Sequence, residues 1–172
     1  GEENFSFKNN LELKNVNFSY DFKKSVLHGI SFLVKKGEMV GIIGPSGAGK
    51  TTITDLLLRL FNPDKGEILI DGKMIKNIKL NQWRKKVGYV SQDAFLINDT
   101  VENNIRFYND KISKEDIDKA TKLANIYDLI NSLPEKFDTV VGERGVSLFG
   151  GQRQRIILAR VLVTNPEILI LD

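Results

Sequence analysis

The segment Gly44-Pro45-Ser46-Gly47-Ala48-Gly49-Lys50-Thr51 satisfies every fixed position of the pattern G-x-x-x-x-G-K-[ST]. Before it runs Glu38-Met39-Val40-Gly41-Ile42-Ile43, a short apolar segment that reads as a buried strand. After it, Thr52 to Phe61 carries apolar residues at Ile53, Leu56, Leu57 and Leu60, the i, i+3, i+4, i+7 spacing of one helix face. Strand, glycine loop and helix form the context in which this pattern holds phosphate. Glycines let backbone N–H groups turn toward an anion without Cβ clashes. The helix N-terminus behind them adds unpaired N–H groups and a partial positive charge. In such a loop Lys50 reaches the β- and γ-phosphates and the Thr51 hydroxyl ligates Mg²⁺. The rival reading, a chance glycine turn, must account for all the fixed positions and both flanks at once. The loop points to a nucleoside triphosphate.

The 172 residues suffice for one domain with a core and are short for two. Hydrophobic content of 41% and charged content of 27% are ordinary for a soluble globular chain. The net charge of +3 is mildly basic, with no polybasic arm, so charge gives little reason to expect nucleic acid as a partner. The absence of cysteine excludes disulfides and thiolate metal sites. His28 is the single histidine, which leaves no histidine metal cluster and no Ser-His catalysis. There is no signal peptide and no apolar run of roughly 18 residues, so the chain is expected to be soluble, any membrane role coming through a partner.

In chain order, Gly1 to Asn10 is polar and expected to be loosely held. Leu11 to Phe18 alternates apolar and polar residues, as a half-buried strand does. Tyr20 follows at once, either an aromatic that stacks on a purine or a tyrosine at a strand rim. Val26 to Val34 reads as a second strand, and Lys36-Gly37 as a turn. Asn62-Pro63-Asp64-Lys65-Gly66 ends the helix begun at Lys50. Glu67 to Ile70 is a strand turned back by Asp71-Gly72, and Val87 to Ser91 is another. Gln92 stands at its end, where it either touches Mg²⁺ or the attacking water, or is a solvated loop residue.

From Asp93 to about Val163 helix signals replace strand signals. Ser113-Lys114-Glu115-Asp116 is a capping box opening a helix through Ala124, and Ile126 to Leu133 is a shorter helix closed by Pro134. Such a block suggests a helical subdomain carried on an α/β core. Gly150-Gly151 precede a helix over Gln152 to Thr164, stopped by Asn165-Pro166. Ile168-Leu169-Ile170-Leu171 reads as a strand buried on both faces, ending in Asp172. An acid at that place, paired with the glycine loop, reads as the group that holds Mg²⁺ opposite Thr51.

With Leu148-Phe149-Gly150-Gly151-Gln152 between the glycine loop and Asp172, the chain resembles the nucleotide-binding domain of an ABC transporter, whose signature is L-S-G-G-Q. The likeness covers roughly Leu11 to Asp172. It implies a P-loop NTPase (RecA-like) α/β core at 1–92 and 157–172, with an antiparallel β subdomain, and a helical subdomain at 93–156 that carries the signature. The sheet is expected to be incomplete at the C-terminus. Gly44, Pro45, Ser46, Gly47, Ala48, Gly49, Lys50, Thr51 and Thr52 would bind ATP. Tyr20 matches the adenine-stacking aromatic, and Gln92 the Q-loop glutamine that touches Mg²⁺ and meets the transmembrane coupling helix. Lys50, Gln92 and Asp172 would be catalytic, with Thr51, Gln92 and Asp172 on the metal. Ser91 to Val101 (with Ala94) and Val141-Gly142-Glu143-Arg144-Gly145 resemble exporter-type domains, and Gly142-Glu143-Arg144-Gly145 resembles their X-loop.

The family implies a mechanism of two bodies at the cytoplasmic face of a membrane. Two domains, identical or not, face head to tail, and each ATP lies between one P-loop and the other's residues 148–152. ATP closes the pair, hydrolysis reopens it, and attached membrane helices export substrate. Two departures matter. Phe149 stands where the family has a serine that donates to the γ-phosphate, a loss of about 1.5–3 kcal/mol that predicts weak ATP-driven closure. The catalytic glutamate, D-loop and switch histidine of the family follow the aspartate at 172, so a chain ending there is expected to bind nucleotide poorly and turn it over negligibly. The rival functions are a soluble ABC ATPase acting on nucleic acid or ribosomes, and a degenerate, non-hydrolysing half-site.

Overall fold

A computed structural model describes residues 6–21, 24–93, 95–143 and 147–172. The chain divides into two compact units, Gly1–Val87 and Gly88–Asp172.

The first unit contains β1 (Asn10–Asp21), β2 (Lys24–Lys35), α1 (Lys50–Leu57), β3 (Lys65–Ile70), β4 (Lys73–Met74) and α2 (Leu80–Lys86). Its sheet is antiparallel with order β2-β1-β3-β4. The alternation in β1 becomes burial, with Leu11, Leu13, Val16 and Phe18 inside. The two-residue period breaks between Leu13 and Val16, where Asn15 takes a positive φ of 46° and the register shifts. Leu11 pairs with Val34 on one side and with Ile70 on the other. Residues 8–10 are not loose: the Asp71 carboxylate accepts from the backbone N–H groups of Lys8, Asn9 and Asn10 at 2.7, 2.6 and 3.0 Å. Phe7 is buried, and residues 1–5 lie outside the described residues.

Three sequence expectations change in or near this unit's helices. The helix after the glycine loop stops at Leu57 rather than Phe61, because Arg59 adopts a left-handed φ of 57° and its guanidinium donates to the carbonyls of Ile78 and Lys76. Leu60 therefore leaves the apolar stripe and is exposed. The short helix α2 was not expected; Trp83 anchors it, donating from Nε1 to Leu57 O at 2.7 Å, which satisfies a carbonyl at the α1 C-terminus. Glu38 to Ile43 is not a buried strand. It has no ladder among the described residues, and Met39 and Ile43 are 98% and 96% exposed. Apolar content states what a segment gains by burial; a parallel strand also needs flanking partners, and this unit's sheet is built from β1 to β4.

The second unit contains most of β5 (Val87–Val90), then β6 (Asp99–Thr100), α3 (Val101–Arg106), α4 (Lys114–Leu123), α5 (Tyr127–Ser132), β7 (Val140–Val141), α6 (Gly150–Leu162) and β8 (Ile168–Leu171). Val101, Ile105, Ile117, Ile130, Val141 and Ile156 lie in one apolar core. The expected capping box is present: Ser113 Oγ accepts from Asp116 N at 3.1 Å, and Asp116 Oδ2 from Ser113 N at 3.0 Å. β5 and β8 form a short parallel pair, and Asp172 N donates to Val90 O at 3.0 Å. β8 is not buried on both faces: Ile168 and Ile170 are half-buried while Leu169 and Leu171 are exposed, since only β5 pairs with it among the described residues.

Candidate functional site

The glycine loop is shaped by a steric requirement at one residue. Gly49 is the N-cap of α1 with φ 88°, a left-handed conformation that L side chains rarely adopt. A Cβ there would also stand 2.6 Å from Leu27 Cδ2, so β2 and the loop touch only because the side chain is missing. Residues 44–48 are exposed and α1 starts directly at Lys50. Its first turn contains no acid, which leaves the positive end of the helix uncompensated. Lys50 Nζ donates to the carbonyls of Gly44 and Pro45, both at 2.9 Å, so the ammonium is folded over the loop. Thr51 is exposed and Thr52 is buried.

Tyr20, near the end of β1, is joined to this helix. Its hydroxyl lies 3.1 Å from Thr52 Oγ1 and donates to Asp55 Oδ2 at 2.8 Å. Its ring meets Phe18 edge to face at 5.0 Å and Phe61 at 5.3 Å, while 53% of the residue stays exposed. Burial pushes the phenol's pKa up, the Thr52 bond opposes this, and the Asp55 carboxylate adds to the rise. Sequence reasoning missed Asp55 and Phe61 as partners of Tyr20. A helical aspartate and a post-helix phenylalanine carry no local signal that a strand tyrosine closes on them.

In the second unit Gln92 is an exposed turn residue two positions beyond β5. Asp172 follows β8, exposed, with Tyr89 OH 3.5 Å from its Oδ2. Leu148 is buried in the core while Phe149 is 80% exposed at the N-cap of α6. Half of a capping box survives there: Gln152 Oε1 accepts from Phe149 N at 3.0 Å, but the phenyl ring offers nothing in return. Gly150 and Gly151 are exposed and a Cβ on either would meet open space. In the exporter-like stretches, Gly142 has φ 102°, and a Cβ there would stand 2.9 Å from Asn98 Cα. β7 thus lies against β6 through Asp99–Val141. Arg144, Gly145 and Ala94 of those stretches lie outside the described residues.

A left-handed glycine behind a lysine that opens a helix, on an α/β frame with an antiparallel sheet and a helical block, defines a P-loop nucleoside triphosphatase fold. Residues 27–172 match the ABC transporter family, and the chain belongs to it. It is 49% identical over 158 residues to the ATM1-type heavy metal exporter of Novosphingobium aromaticivorans, covering 92% of this chain and 26% of that protein. It is 47% identical over 167 residues to the ATP-dependent lipid A-core flippase of Haemophilus influenzae, covering 96% and 28%. Human ATP-binding cassette sub-family B member 5 is 43% identical over 169 residues, covering 97% and 13%. A solved bacterial Atm1-family ABC exporter with ATP bound superposes with a TM-score of 0.86 at 47% identity, over 95% of this chain and 29% of that one. The chain thus spans less than a third of the length of each of these proteins. The fold is the ABC ATPase fold that the order of motifs implied.

Proposed function

We propose that the chain is the ATP-binding and ATP-hydrolysing domain of an ABC-type membrane exporter, at the cytoplasmic face, powering transport through an attached transmembrane domain. The observation that carries this reading is the loop geometry: Gly49 at φ 88° heads α1, and Lys50 is held over the loop by two of its carbonyls. Relatives named as exporter and flippase favour it over a soluble ABC ATPase acting on nucleic acid. Among the described residues no helix is long and apolar enough to cross a membrane.

ATP fits the residues present. The loop N–H groups of Gly44 and 46–49 and the first turn of α1 suit a polyphosphate, Lys50 neutralises it, and Tyr20, held by Thr52, serves the nucleoside end. Mg²⁺ takes hard oxygen donors, a class to which the Thr51 hydroxyl, the Gln92 amide and the Asp172 carboxylate belong; these residues would hold it, and it would supply charge neutralisation to the phosphates. No cluster of three or more His, Cys, Asp or Glu that could hold a metal occurs among the described residues. In this reading residues 1–92 and 157–172 form the nucleotide-binding core, and 93–156 is the helical subdomain that presents Leu148 to Gln152 to a second, head-to-tail domain. Gly150 and Gly151 support that assignment. Neither is required by packing in this chain, although glycine weakens a helix by about 1 kcal/mol relative to alanine. Bare backbone there suits the close approach of an outside anion.

Phe149 favours a second reading, a degenerate half-site in an asymmetric pair. Its ring occupies the N-cap with no acceptor for the first-turn N–H groups and no hydroxyl for a γ-phosphate. ATP turnover by the intact protein separates the two. Turnover lost on Lys50→Ala supports the hydrolytic reading. Nucleotide binding without turnover in the wild type supports the degenerate one.

A further inference from the structure

We infer that Asp55 is a positioning residue for the nucleotide base, fixing the Tyr20 ring in the orientation on which the base stacks. This rests on the proposal that Tyr20 is the base-stacking aromatic, and it adds a residue that no motif of the chain marks.

A half-exposed tyrosine at a strand end ordinarily samples several rotamers. Tyr20 is constrained from three sides. Phe18 and Phe61 meet it at interplanar angles of 86° and 89°, which bracket the ring without setting the direction of its hydroxyl. That direction is set by α1: Asp55 Oδ2 accepts the phenolic proton at 2.8 Å, and Thr52 Oγ1 lies 3.1 Å away. The bond to the carboxylate is charge-assisted and is the stronger of the two.

The position of Asp55 is itself informative. It stands one helical turn after Thr51, on the helix whose first turn faces the phosphate loop. Asp55 lies in the last turn of α1, where the helix dipole disfavours a negative charge. Engagement with the Tyr20 hydroxyl gives that charge a use. It also makes a single rigid element carry both the phosphate-facing residues Lys50 and Thr51 and the anchor of the base platform. The spacing between phosphate and base sites is then built into α1.

The test compares ATP with inorganic tripolyphosphate, which has the phosphates and no base, by titration calorimetry on the full-length protein. The variants are Asp55→Ala, Tyr20→Phe and the double variant. Asp55→Ala and Tyr20→Phe each weaken ATP binding roughly three- to tenfold, less than the full worth of a hydrogen bond to a charged group because the bond orients the ring and does not touch ATP. The double variant is no weaker than either single one, because both remove the same bond. Tripolyphosphate affinity stays at the wild-type value throughout. Unchanged ATP affinity in both single variants overturns the inference, as does a parallel loss of tripolyphosphate affinity, which would make Asp55 a support of the phosphate loop. A wild type that binds ATP no better than tripolyphosphate overturns instead the reading of Tyr20 on which the inference stands.

Discussion

The Arg160 guanidinium grips Asn104 twice, donating from Nε to its backbone carbonyl at 2.7 Å and from Nη2 to its side-chain Oδ1 at 2.9 Å. Asn104 is fully buried, and its amide donates to the carbonyls of Ile97 and Thr100 at 3.0 Å each, while Oδ1 also accepts from Ile97 N at 2.9 Å. Arg160 adds a bond to Phe95 O at 3.0 Å and lies 4.8 Å from the centre of the Phe107 ring. One asparagine and one arginine thus join α6, which begins at the signature glycines, to the segment that follows Gln92.

Asn104→Ala strands several of these buried groups at once and is expected to cost about 2–3 kcal/mol. Arg160→Lys keeps the charge but loses the planar fork, and is expected to cost about 1–2 kcal/mol. Denaturant unfolding of the intact protein measures both. Losses under about 0.5 kcal/mol, the range of a surface substitution, would show that the network is dispensable.

Two glycines in helix-start motifs are expected to respond in opposite directions. Gly49→Ala forces a side chain into φ 88° and against Leu27, so it destabilises by about 2–4 kcal/mol. Gly151→Ala sits at helical φ in open space and is expected to stabilise by about 0.5–1 kcal/mol, while weakening ATP-dependent pairing of domains. Thermal or chemical unfolding of each variant gives the sign. Equal destabilisation by both would mean that the two motifs are alike in kind.

Phe149→Ser completes the capping box whose reciprocal half, Gln152 Oε1 to Phe149 N, already exists. A gain of about 0.5–2 kcal/mol in stability is expected, together with tighter ATP-dependent association, read by analytical ultracentrifugation with and without ATP. Association that is equally strong with Phe149 in place would contradict the view that this residue disables the signature.

The pH dependence of stability tests the Asp71 anchor. Burial works to raise its pKa, but the N–H groups of Lys8, Asn10 and Asn9 and the charge of Lys8 outweigh it, and the folded-state value lies below the ordinary carboxylate value. A depressed acid stabilises the fold above its unfolded pKa, about 4, and loses that contribution as pH falls through the folded value. Asp71→Asn should therefore be less stable than wild type at pH 7, with a gap that closes below about pH 4. A gap that does not change with pH would place the effect elsewhere.

Local chemistry was legible wherever a segment carries its own instructions. The glycine loop, the box at Ser113 and Asp116, and the alternation of Leu11 and Leu13 needed no distant partner to be read. What escaped depended on partners far along the chain. The end of α1 is set by Arg59 reaching Ile78, and the placement of Tyr20 by Asp55 and Phe61. Glu38 to Ile43 reads as buried because the segment is largely apolar, yet burial requires a flanking strand that a run of hydrophobic residues does not supply. Burial in β8 was overstated for the same reason.

Mg²⁺-dependent ATP binding by the full-length protein, with Lys50→Ala as its comparison, tests the account most directly. Saturable binding that falls at least roughly tenfold in Lys50→Ala, the loss expected when one charge-assisted contact to phosphate disappears, is the predicted result. ATP binding of equal strength in wild type and Lys50→Ala would contradict it, because the loop at Gly44 to Thr51 would then not be where the nucleotide goes.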